Sequence, residues 1–165
     1  MPHDTSFLIW RLQAGVLVVI IFCLSQLFAA PPEPTADLAT VVAQVAAQVD
    51  RQGDRFDFMF KHDDWELSMS AVLSVDGKSL WLMSWLDELP REAALVPRNA
   101  LLRLLATNDA MGNGKFFAYI PNNRRFVLQR SVPNEGIDEK KLASLLKDLA
   151  ETVVETEPVW CVEKW

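Results

Sequence analysis

Little in this chain can carry covalent chemistry. Its 165 residues include two cysteines and two histidines. Cys23 lies in an apolar segment near the N-terminus and Cys161 near the C-terminus. That segment and the remainder are expected in different compartments, so no internal disulfide joins the two. Cys161 is then a lone thiol, either inert or intermolecular. His62 is the one histidine beyond the N-terminal tip, which excludes a His-rich metal centre. There is no GxSxG, no GxGxxG and no phosphate-binding glycine loop. Gly112-Asn113-Gly114 is too short to cradle a phosphate. Positive charge is scarce: 16 Lys and Arg stand against 22 Asp and Glu, for a net charge of −6. The pI is about 4.9. A nucleic-acid binder shows the opposite balance, so no nucleic-acid partner is expected. Arg124-Arg125 reads as a solvated hairpin tip.

The densest titratable group is His62-Asp63-Asp64-Trp65-Glu66. It offers one imidazole and three carboxylates. Zinc draws on several His or Cys ligands, and a calcium loop spaces its carboxylates around a glycine. Neither pattern is met, and a polar turn is the simpler reading. The alternative is an extracytoplasmic enzyme or metal-binding protein that uses this turn. No catalytic residue, metal or cofactor is otherwise indicated, and the chain reads as a non-enzyme.

What is present begins with one long apolar run. Leu12–Ala30 reads LQAGVLVVIIFCLSQLFAA, and no charge falls between Arg11 and Glu33. A spanning helix needs roughly 17–25 residues. A cleaved signal has a shorter apolar core and small residues at −3 and −1. Cutting after Ala30 puts Phe28 at −3 and Pro31 at +1; cutting after Ala29 puts Leu27 at −3. Residues 1–30 therefore read as a signal anchor, with a signal peptide as the other possibility. Arg11 is the one basic residue before the run, so the short N-terminus is expected inside and the bulk outside. The chain is then membrane-anchored through residues 12–30, facing the periplasm or cell exterior, or secreted if the segment is cut. Residues 31–36 form a Pro-rich spacer. Everything after Ala30 carries the whole net charge, and residues 37–165 are long enough for one core.

Within residues 37–165 the periodicities alternate. Thr35 caps a helix with apolar positions Leu38, Val41, Val42, Val45 and Val49, ended by Gln52-Gly53-Asp54. Phe56, Phe58 and Phe60 alternate as a strand. Two longer strands, Trp65–Val75 and Ser79–Leu86, meet at Asp76-Gly77, a strong two-residue hairpin signal. Pro97 opens a second helix with Leu101, Leu102, Leu104 and Leu105 on its buried side. A second hairpin joins Lys115–Ile120 to Arg125–Val132. The last helix starts at Asp138, with Ile137 and Leu142 placed as a hydrophobic staple. Its core stripe is Leu142, Leu145, Leu146, Leu149 and Val153. The order α-β-β-β-α-β-β-α predicts an α+β, two-layer domain, with an antiparallel sheet and helices on one face.

The Asp76-Gly77 turn sets a register. Leu73 then faces Leu80, Ala71 faces Leu82, Met69 faces Ser84 and Leu67 faces Leu86, an apolar core face. The opposite face carries Val72 with Trp81, Ser70 with Met83 and Ser68 with Trp85. A half-buried strand alternates apolar with polar, and Trp81, Met83 and Trp85 break that rule. Either the C-terminal tail or the first helix covers the stripe, or it is a dimer surface, or it is a platform for an extended partner. A one-residue slip would invert the faces.

The segments GNGKFFAYIPNNRRFVLQRSVP and IDEKKLASLLKDLAETV, behind a leucine-rich helix ending near Asn108, carry a resemblance. From Leu101 to Trp160 the chain resembles the second half of the type III secretion chaperone-like fold, which includes the Tir-chaperone-like and YbjN-type families. The preceding elements fit the first half, so the resemblance spans about Asp37–Trp160. It implies a dimeric, non-enzymatic module that binds extended client segments on apolar patches. The Trp81/Met83/Trp85 stripe suits that use. The family's secretion chaperones are cytosolic, and Leu12–Ala30 departs from that pattern.

Overall fold

The computed structural model describes residues 37–165. The expected membrane segment, spacer and Thr35 cap lie outside the described residues. Among the described residues no helix is long and apolar enough to cross a membrane.

A six-stranded antiparallel sheet organises the domain, in the order β1-β2-β3-β4-β6-β5. Its strands are β1 (Ala47–Gln52), β2 (Arg55–His62), β3 (Trp65–Leu73), β4 (Ser79–Glu88), β5 (Lys115–Ile120) and β6 (Arg125–Pro133). The helices are α1 (Leu38–Val45), α2 (Arg98–Ala110), α3 (Glu139–Glu155) and the single turn α4 (Glu157–Trp160). Buried side chains of α1, α3 and α4, and Leu104 of α2, join one core cluster with one face of the sheet. That cluster includes Val41, Val42, Phe56, Met69, Leu82, Leu104, Leu146 and Trp160. The α+β expectation with an antiparallel sheet therefore holds, with one strand more than the expected order α-β-β-β-α-β-β-α.

Helix α3 follows its sequence signals closely. Asp138 Oδ1 accepts the Lys141 N–H at 2.7 Å, capping the first turn. Leu142, Leu146, Leu149 and Val153 recur at helical spacing, and each is fully buried. Ile137, at 7% exposed, closes the staple over them.

The first helix is shorter than its pattern predicts. It ends at Val45 and is capped at its start by Asp37. The chain then turns extended at Ala46, and Gln48 takes a φ of 54°. Residues 47–52 pair with β2 as an edge strand, with a register shift between Ala47 and Asp50. The reason is backbone hydrogen bonding: β2 would otherwise present an unpaired edge. Val49 still reaches the core, from β1. Apolar spacing at 3.6 residues cannot distinguish these outcomes.

The second helix also departs from expectation. Ala100 and Leu104 are buried, at 1% and 3% exposed, whereas Leu101, Leu102 and Leu105 are 37%, 50% and 64% exposed. Helix α2 sits at the β5 end of the sheet and presents a single i, i+4 row inward. Asn108 continues that row. Its Oδ1 accepts the Phe117 N–H at 2.6 Å and its Nδ2 donates to the Phe117 carbonyl at 3.2 Å. One side chain thus satisfies a backbone pair on an edge strand.

The hairpin register matches the expected one, by a different turn. Ala71 pairs with Leu82, Ser70 with Met83 and Val72 with Trp81. The turn is longer than two residues: the Gly77 N–H donates to the Ser74 carbonyl, and the Ser74 N–H to the Ser79 carbonyl, each at 2.8 Å. Gly77 takes the positive φ, 69°. The longer loop is centred on the same point, so the five pairs from Met69–Ser84 to Leu73–Leu80 keep the expected register.

Candidate functional site

The register divides β2, β3 and β4 into two faces. Leu67, Met69, Ala71, Leu80, Leu82 and Leu86 all join the core cluster. Val72, Trp81, Met83 and Trp85 lie on the opposite, outer face, and all four are half-buried. Of the two elements expected as a cover, α1 places Val41 and Val42 in the core cluster, and the C-terminal tail places Trp160 there. Trp160 meets Trp65 edge to face, with centroids 6.4 Å apart. Both elements therefore occupy the core side. Among the described residues, neither covers the tryptophan stripe.

Strand β2 supplies the residues that sequence reasoning missed. Phe56 and Phe58 face the core, so Arg55 and Asp57 face outward between them. Arg55 pairs in register with Val72, and Asp57 with Ser70. The Arg55 Nε donates to both carboxylate oxygens of Asp57, at 2.9 and 2.7 Å. The Ser70 hydroxyl donates a short hydrogen bond to Asp57 Oδ1. The Trp85 indole N–H reaches back diagonally and donates to Ser70 Oγ at 2.7 Å. The Arg55 guanidinium lies 5.1 Å from the Trp85 ring centroid, a cation–π distance. Trp85 is thereby held against the sheet, and Ser70 beneath it is fully buried. Signals for this were present: the Asp63-Asp64 turn sets the β2–β3 pairing, and strand alternation sets the outward residues.

Burial works to raise the Asp57 carboxyl. The hydrogen bonds from Arg55 and Ser70, with the Arg55 charge, outweigh it and hold the group below its ordinary value of 3.8. Asp57 is thus a carboxylate at neutral pH. Ser70 beside Asp57 is two parts of a nucleophile triad without the third. His62 is in register with Trp65, so it faces the core side. A hydroxyl with no exposure and no imidazole is not placed for attack.

The apolar surface continues beyond β4. Val127 is the cross-strand partner of both Trp85 and Ala118. It is fully buried, yet lies outside the core cluster. Phe116 pairs with Gln129 in the next outward row, and both are half-buried. The apolar stripe on β4 therefore continues through Val127 to Ala118 on β5, beside the polar Gln129 and Ser131 of β6, and is bordered on β2 by the Arg55–Asp57 ion pair.

The acidic turn is dispersed by the sheet's pleat. Asp63 takes a φ of 50° in the β2–β3 turn. His62 and Trp65 face the core side, and Glu66 faces outward opposite Lys61. Among the described residues no three His, Cys, Asp or Glu side chains come together to hold a metal ion. Arg124 is not simply solvated. Its guanidinium donates a short bond to the Pro90 carbonyl, and its own carbonyl accepts the Leu89 N–H at 2.9 Å. It ties the β5–β6 turn to the linker before α2.

Comparison with known proteins bears on the fold. No family model matches this chain. No curated protein matches it in sequence. Solved structures do. The fold is shared with a chain of the ExsC–ExsE complex. That alignment has a TM-score of 0.55 at 11% identity, covering 76% of this chain and 98% of the other. A chain of the HopA1–SchA chaperone–effector complex aligns at a TM-score of 0.48 and 13% identity, over 73% of this chain and 96% of its own length. A chain of the heterodimeric ExoU–SpcU complex, from the type III secretion system of Pseudomonas aeruginosa, aligns at 0.49 and 16% identity, over 76% and 98%. At such identities the likeness concerns the fold and not the residues of the site.

Proposed function

We propose that the domain is a non-catalytic, chaperone-like protein-binding module whose docking face is the outer side of the sheet, around Val72, Trp81, Met83 and Trp85. The carrying observation is that half-buried stripe, with Trp85 fastened by Ser70 and Arg55. A rigid aromatic anchor loses little entropy when a partner covers it, which favours binding. Deep burial of Ser70 and the outward separation of Glu66 from His62 favour binding over catalysis at this face. The shared fold with a chain crystallised in a two-protein complex is consistent with this reading. The partner contributes apolar side chains to the platform. We further propose that Leu12–Ala30 tethers the domain at a membrane, on the far side from the short N-terminus; its uncharged length and poor cleavage sites support that.

The test is in-cell crosslinking of the tagged full chain, followed by fractionation and mass spectrometry. The membrane fraction should yield an uncut N-terminus and a crosslinked protein. That crosslink should vanish when Trp81→Ala is combined with Trp85→Ala, with folding verified by circular dichroism. A crosslinked partner retained at wild-type yield by the double variant refutes the docking face. A soluble chain that lacks residues 12–30 refutes the tether.

A further inference from the structure

Two cations stand directly opposite each other on the core side of the sheet. Lys115 on β5 and Arg130 on β6 are cross-strand partners. Like charges so placed repel, and burial strengthens the repulsion: their side chains are 7% and 15% exposed. Among the described residues a single carboxylate answers both. Asp148 of α3 accepts from Lys115 Nζ at 2.9 Å through Oδ1 and from Arg130 Nη1 at 2.7 Å through Oδ2. Thr152 Oγ1 also accepts from Lys115 Nζ, at 2.7 Å, and donates its own proton to the Asp148 carbonyl at 2.9 Å. The threonine adds no negative charge, so the cluster stays net positive.

Donors are left over as well. Arg130 Nε is buried and has no hydrogen-bond partner. Nη1 is the guanidinium nitrogen that Asp148 engages, and Nη2 forms no hydrogen bond among the described residues. One proton of Lys115 Nζ is also unused. A buried donor without an acceptor is costly, so it marks a place where an acceptor belongs. Nε and Nη2 form the side-on edge of the guanidinium, spaced to hold two oxygens of one oxyanion. Asp148, at 39% exposed, leaves the cluster open to solvent on one side.

We propose that Lys115 and Arg130 form an oxyanion site that takes a carboxylate or a phosphate group on the free edge of the guanidinium. The ligand supplies the charge that the pair lacks and the acceptor that Arg130 Nε lacks. Asp148 then has two opposed effects: it orders the two cations and it repels the ligand. Arg130 pairs with Leu82 of the core face, so the site is on the opposite side of the sheet from the tryptophan stripe.

The test is titration of the full chain, in mild detergent, with sodium phosphate and separately with sodium acetate, at constant ionic strength set with sodium chloride. Calorimetry reads affinity, and the Arg130 Nε–H resonance reads the site. At least one titrant should saturate and shift that resonance, and the tighter of the two tells a phosphate ligand from a carboxylate. Arg130→Lys keeps the charge but loses the fork, and should weaken binding at least about 10-fold. Asp148→Asn keeps an oxygen for the cations and removes the competing charge; it should destabilise the fold yet tighten binding about 10-fold. An ion pair that serves only to hold α3 on the sheet predicts no such gain. Circular dichroism verifies the fold of each variant. No saturable binding of either anion, an unmoved Nε–H resonance, unchanged affinity in Arg130→Lys, or unchanged or weaker binding in Asp148→Asn overturns the inference.

Discussion

Ser70→Ala is the sharpest perturbation of the outer face. The Ser70 hydroxyl is fully buried and links three groups: it accepts from Trp85 at 2.7 Å and from Arg55 at 3.4 Å, and donates to Asp57. Alanine keeps the strand geometry and removes that link. The indole hydrogen bond is a neutral one, worth about 1 kcal/mol, and a bond to a charged group about 1.5–3 kcal/mol. The Asp57 and Arg55 side chains keep 30% and 37% of their exposure, so water replaces part of what is lost. The expected destabilisation is therefore about 2 kcal/mol. With a urea m-value of about 2 kcal/mol/M, the midpoint falls by about 1 M at unchanged m. Two assays read it: urea denaturation, and exchange of the Trp85 indole proton, which should quicken when its acceptor is gone. A midpoint shift below about 0.2 M, or an indole proton still protected, refutes the claim that Ser70 fastens Trp85.

Three further outcomes follow from the same structure. Asp57 is held below its ordinary value of 3.8, so its contribution is present above that pH and is lost as pH falls through its folded value. Stability should begin to fall below about pH 4, and Asp57→Asn should flatten that acid limb in pH-dependent denaturation; identical limbs contradict the assignment. Asp148, 39% exposed, holds the buried Lys115 at 2.9 Å and the half-buried Arg130 at 2.7 Å. Asp148→Ala should cost about 1–3 kcal/mol by thermal denaturation: both cations lose their counter-charge, but solvent screens the exposed side of the cluster and Lys115 keeps its bond to Thr152. Asn108→Ala removes two hydrogen bonds to Phe117 and should cost about 1–2 kcal/mol. Amide exchange at Phe117 should accelerate with it, and unchanged protection there would show that α2 shields β5 by packing alone.

Local rules determined much of this domain from sequence alone. The staple and cap of α3 involve residues a few positions apart, so Ile137, Asp138 and Leu142 announce them. The β3–β4 pairing follows from a turn centre, and it survived a change in loop length because the longer loop is symmetric about that centre. The outward placement of Val72, Trp81, Met83 and Trp85 follows from that register and strand alternation.

Tertiary structure decided what depends on neighbours distant in sequence. Whether residues 47–52 continue a helix or form a strand rests on the unpaired edge of β2, because Val49 reaches the core either way. Which leucines of α2 are buried rests on where the helix meets β5: Leu101, Leu102, Leu104 and Leu105 spread around more than one side, and their spacing alone does not choose among them. The fastening of Trp85 needs Arg55 and Asp57 brought beside Ser70 across two strands, with Trp85 reaching diagonally from a third. Periodicity reports which face a residue shares; only packing assigns what that face meets.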